Sequence, residues 1–126
     1  MLYDHADVRV SNLEMSRSLF SALLPAMGFT RVVEDADSLS FQHPDDTREP
    51  FFGVIVDSEH QPNGTRLAFR AEGRGDVDRL AAIALHAGAQ AYEAPALCEE
   101  YSPSYYATFF EDRDGNKFEI CYRERA

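Results

Sequence analysis

The chain lacks any apolar run of about 18 residues, the length a helix needs to cross a bilayer, and it has no charged leader ahead of a short apolar segment. Neither export nor membrane spanning is expected from it. Cysteine is scarce: Cys98 and Cys121 are the only two, without C-x-x-C spacing, which argues against a disulfide framework and against a zinc site. Positive charge is also scarce, with 12 Lys and Arg against 22 Asp and Glu and a net charge of -10. Such a surface repels phosphate backbones, so nucleic acid is excluded as the expected partner. The acid keeps the chain in solution and would attract cationic small molecules. The expected location is the cytoplasm.

What is present suffices for a core. The 126 residues are 44% hydrophobic and include nine Phe, enough for one compact domain or two small modules sharing a core. Residues 5–10, HADVRV, alternate as a half-buried strand does. Ser11 or Asn12 then offers an N-cap. Leu13, Phe20, Leu24 and Met27 with Met15, Leu19 and Leu23 form an apolar helical stripe that Pro25 and Gly28 should end. Short strands are expected at 30–35, 38–42 and 51–57. After a turn-rich linker at about 58–65, the order restarts. RLAFRA from Arg66 reads as a strand, and Val77, Leu80, Ala81, Ala84 and Leu85 fall on one helical face that Gly88 closes. AQAYEA, YYATFFED and KFEICYR supply three more strands, the last two joined by RDGN.

The two halves keep register. His5 lies 23 positions before Gly28, and Arg66 lies 22 before Gly88. Phe52-Gly53 falls on Phe118-Glu119. A β-α-β-β-β unit used twice is the economical reading, because neither half alone buries a useful core. The expected organisation is a single domain with module one at about 1–57 and module two at about 66–126.

Strand alternation then sorts the side chains. Ala6, Val8 and Val10 pack, leaving His5, Asp7 and Arg9 together. Leu67, Phe69 and Ala71 pack, leaving Arg66, Ala68 and Arg70. Phe118, Ile120 and Tyr122 pack, leaving Glu119, Cys121 and Arg123. If the face opposite the helices is flat, these charges are ordinary solvated patterning. If it curls, they line a cup for a ligand.

Three stretches, DHADVRVSNLEMSRSLF, GTRLAFRAEGRGDVDRLAAIALHAGA and YYATFFEDRDGNKFEICY, resemble the vicinal oxygen chelate superfamily, which includes glyoxalase I, bleomycin-resistance proteins and extradiol dioxygenases. The resemblance spans nearly the whole chain, and its more specific parts are the closing D-x-D-G-N-x-x-E pattern and the first-strand His. It implies an α+β fold of paired βαβββ modules forming a curled mixed sheet, often with two chains associating as a homodimer. For function it implies a small-molecule lyase, isomerase or dioxygenase, or a metal-free protein that sequesters an antibiotic or toxin.

In metal-using members a divalent ion is held by a first-strand His, a His opening the second module and a last-strand Glu, with a fourth-strand carboxylate in some. Carried over, these positions are His5, Arg66, Glu119 and the neighbourhood of Gly53. His5 and Glu119 keep a donor. Arg66 cannot act as one, since guanidinium stays protonated and has no lone pair to give. A divalent metal is therefore only weakly supported. Arg66 is expected to pair with Glu119 in the cation's place or, if free of it, to hold an anionic substrate group. The alternative is an Arg66 at the rim, pointing to water.

The candidate catalytic residues are accordingly Glu119 and Arg66, and the candidate metal ligands are His5 and Glu119. Candidate substrate contacts are Arg9, Arg70, Tyr101, Tyr105 and Cys121. Cys121 is either a thiol activated by Arg66 or His5, or a small packed side chain. The segment 94–106 carries Tyr101, Tyr105 and Tyr106, which would wall a planar ligand, and Glu99 with Glu100, which would meet a cation; equally, it reads as a surface loop with one tyrosine docked on the sheet. DRDGN has its Gly too early for a calcium loop and reads as a hairpin turn. His43, His60 and His86 read as a turn, a linker and a helix residue.

Overall fold

The computed structural model describes residues 3–44 and 50–124. It divides into two compact units, Met1–Gln61 and Pro62–Ala126. In the first, β1 (His5–Val10) leads to α1 (Leu13–Ala26), then β2 (Arg31–Glu34), β3 (Ser38–Gln42) and β4 (Phe51–Val56). In the second, β5 (Arg66–Arg70) leads to α2 (Arg74–His86), then β6 (Gln90–Leu97), β7 (Tyr106–Glu111) and β8 (Lys117–Tyr122). The strand orders are β1-β4-β3-β2 and β5-β8-β7-β6, so each opening strand pairs in parallel with the last strand of its own module. This is an α+β fold of two repeated βαβββ units, as the sequence repeat implied.

Both helices stop by the same device. Gly28 and Gly88 take φ of +99° and +104°, a region that favours glycine. The next residue reaches back in each case, Phe29 N–H to the Leu24 carbonyl at 3.1 Å and Ala89 N–H to the Ala84 carbonyl at 3.0 Å. At the start of α1, Asn12 is the cap, its side-chain oxygen accepting from Met15 N–H at 2.9 Å. Pro25 sits inside the last turn of α1, which ends one residue later at Ala26.

The cores are modular. Phe20 of α1 packs on Phe52 of β4 at 5.6 Å between ring centres, while Phe118 of β8 stacks with Phe69 and Phe110 at 6.1 and 5.8 Å. Two expected core residues lie outside: Met15 is 46% exposed and Leu85 is 50% exposed. Ser16 is buried in α1, its hydroxyl donating to the Asn12 carbonyl at 2.9 Å. The periodic stripe is thus narrower than the apolar sequence pattern, because a four-stranded sheet covers little more than one helical face.

Candidate functional site

Strand pairing in module two sets the site rows. Arg66 lies beside Lys117, Ala68 beside Glu119, and Arg70 beside Cys121, with Glu111, Phe109 and Ala107 continuing those rows on β7. Cross-strand partners share a face, so these side chains stand on the side of the sheet away from α2. Tyr105 precedes β7 with the same parity as Ala107 and Phe109 and turns to that face.

Glu119 is the central group. It is only 7% exposed, and a buried carboxylate requires a donor. Tyr105 supplies it, its hydroxyl donating to Glu119 Oε2. Burial, and then hydrogen bonding to Glu119 and Cys121, pushes the Tyr105 phenol above the ordinary tyrosine range. Tyr101 meets Tyr105 edge-on at 5.0 Å between ring centres. The loop that carries them folds on Cys98, whose N–H donates to the Tyr105 carbonyl at 2.6 Å and whose carbonyl accepts from Tyr101 N–H at 3.0 Å. The Ser102 hydroxyl, in the same loop, is buried with no hydrogen-bond partner. Burial, followed by the carboxylates of Glu100, Glu119 and Glu93, raises the Cys98 thiol, which makes it unsuited to nucleophilic work.

Arg66 does not pair with Glu119. Its guanidinium lies over the Phe109 ring at 4.9 Å from the centroid, a cation–π contact. Aromatics occupy both parities of β7, so sequence spacing does not by itself fix the face that Phe109 takes. Tyr106 also departs from expectation. It turns to the helix side, donates to Asp78 Oδ1 at 2.6 Å and carries Arg74 over its ring at 5.3 Å. Glu99 and Glu100 are exposed in the turn after β6. Lys117 and Glu111 close the first row as an ion pair at 3.2 Å.

In module one, His5 stacks on its cross-strand partner Phe51 at 4.5 Å. Its Nδ1 is 2.8 Å from Asp4 Oδ1, and its Nε2 is 3.8 Å from Asp7 Oδ2. Asp7 pairs with Gly53, and its carboxylate occupies the space that a Cβ at position 53 would need. Arg9 is exposed further along the same strand.

Taken module by module, the donors fit a divalent ion poorly. Gly53 offers none and Arg66 has no lone pair, while one Glu119 oxygen is engaged by Tyr105. Among the described residues no group of three or more His, Cys, Asp or Glu is placed to hold a metal. In the DRDGN turn, buried Asp112 accepts from the N–H groups of Asp114 and Asn116 and from the Asn116 amide.

The paired modules define a class of protein, and solved structures share it. A glyoxalase/bleomycin resistance protein from Albidiferax ferrireducens matches at a TM-score of 0.80 and 26% identity, over 98% of this chain and 100% of that one. A glyoxalase/bleomycin resistance protein/dioxygenase family enzyme from Burkholderia phytofirmans matches at 0.72 and 17%, over 96% and 98%. The fosfomycin resistance protein FosX from Mesorhizobium loti matches at 0.70 and 18%, over 98% and 92%. Neither the protein-family models nor the curated protein sequences match the chain. The resemblance read in the sequence holds in the structure: the chain has the fold of the vicinal oxygen chelate superfamily. No helix among the described residues is long and apolar enough to cross a membrane.

Proposed function

We propose that this protein binds a small organic molecule on the Glu119 face of module two and does so without a resident divalent metal. The observation that carries this reading is the partnering of Glu119: its carboxylate is held by the Tyr105 hydroxyl, while Arg66, which the resemblance sets at the second ligand position, lies over Phe109. Tyr101 and Tyr105 provide aromatic surface, and Cys121 lies between Glu119 and the strand end. Sequestration of an antibiotic or toxin, or chemistry that uses Glu119 to hold or move a proton, would both operate on this face. The reading takes the protein as a cytoplasmic homodimer with no nucleic-acid or membrane partner.

A second reading is a metal-assisted lyase, isomerase or dioxygenase. It is favoured by His5 and Glu119 standing on β1 and β8, the strand positions at which metal-using members carry ligands. Metal analysis of protein purified without a chelating tag separates the two, followed by titration of Ni²⁺, Zn²⁺, Mn²⁺ and Fe²⁺ into wild type and Arg66→His. The proposed reading expects no stoichiometric metal in wild type. Tight, stoichiometric binding there would overturn it in favour of the second.

A further inference from the structure

A cleft of about 300 Å³ lies at the end of β5 and β8, lined by Arg70, Ala71, Glu72, Tyr122 and Arg123. Its size suits a small ligand or one end of a larger one. In a chain with 22 acidic residues, Arg17 is held by Glu14 and Glu34, and Arg79 by Asp76. Arg70 and Arg123 make no ion pair with any described carboxylate, although Glu72 lines the same cleft.

From this we infer that the cleft is an oxyanion site, in which Arg70 and Arg123 hold the carboxylate, phosphate or phosphonate head of a small organic acid. Planar guanidinium groups match such heads with paired N–H donors. Glu72 sets a limit on the charge. Two cations and one anion leave a single net positive charge, so a singly charged head that also donates a hydrogen bond to Glu72 is favoured over a bare dianion.

The placement adds a distance constraint. Arg70 pairs with Cys121, two residues along β8 from Glu119. At about 3.3 Å per residue the head group would sit on the order of 7 Å from the Glu119 row. A ligand anchored there would run its carbon skeleton past Cys121 toward Glu119 and Tyr105. The inference rests on that face being a ligand site, yet the cleft is testable by itself.

The test is a titration of the full chain with inorganic phosphate, methylphosphonate and acetate at constant ionic strength. It is read by amide and arginine Nε–H NMR shifts in wild type, Arg70→Gln, Arg123→Gln and Glu72→Gln. Saturable shifts at Arg70, Ala71 and Arg123 are expected with at least one anion. Either glutamine variant at an arginine should weaken that binding about tenfold, the loss of one charge-assisted contact, and Glu72→Gln should strengthen binding of the more highly charged anions. The anion that saturates at the lowest concentration assigns the head group. Shifts that stay linear for every anion, or that saturate equally in the arginine variants, would overturn the inference. Neither result depends on metal binding, which decides the reading of Glu119 separately.

Discussion

The two modules place a carboxylate at the same point of the same scaffold, but from opposite strands. In module one the opening strand provides it: Asp7 on β1 faces Gly53 on β4. In module two the closing strand provides it: Glu119 on β8 faces Ala68 on β5. Each acid is matched with a residue of little or no side chain, Gly53 and Ala68. The environments then diverge. Asp7 stays exposed beside His5, whereas Glu119 is buried and bonded to Tyr105. One scaffold thus carries a solvated acid and a sequestered one.

The largest test of this pairing addresses the cores. Phe52→Ala and Phe118→Ala remove corresponding buried rings, and each should cost about 3–5 kcal/mol in denaturant unfolding. Similar losses would confirm equivalent scaffolds, and a loss confined to one module would break the comparison. Tyr105→Phe comes next. It leaves buried Glu119 without its donor and should cost about 1.5–3 kcal/mol. A smaller effect, about 1 kcal/mol, is expected for Gly53→Ala, whose added Cβ must displace the exposed Asp7 carboxylate. In an Asp7→Ala background the same change should be neutral or stabilising.

The pH dependence sharpens the contrast further. The Tyr105 phenol is raised in the folded state, so the unfolded chain loses this proton first, near pH 10. Stability should therefore fall as pH rises above about 10, by at most ~1.4 kcal/mol per pH unit from this group. Tyr105→Phe should lack that component, measured as the difference between the two alkaline unfolding curves. The smallest effect belongs to Arg66→Leu, which removes one exposed cation–π contact and should leave the fold intact.

Much of this was legible in sequence because it is periodic. The twofold βαβββ order, the helix-stopping Gly28 and Gly88, and the parity that puts Arg66, Ala68 and Arg70 on one face with Glu119 and Cys121 follow from strand and helix spacing. The partners of Glu119 were not legible. Tyr105 reaches it through a loop whose path depends on Cys98, and no spacing rule fixes that path. Arg66 chose the Phe109 face over the nearby carboxylate, a choice between two neighbours that alternation alone does not order. Likewise Gly53 read as a missing ligand, whereas the structure shows it making room for Asp7.

The most direct test of the central claim is a double-mutant cycle between Tyr105 and Glu119, using Tyr105→Phe, Glu119→Gln and the double variant, unfolded in metal-free buffer at neutral pH. A coupling of about 1.5 kcal/mol or more is expected, the range of a hydrogen bond to a buried charge. Additive losses would contradict the account, since Glu119 would then be satisfied by some other partner and its place in a tyrosine-held, metal-free site would fall.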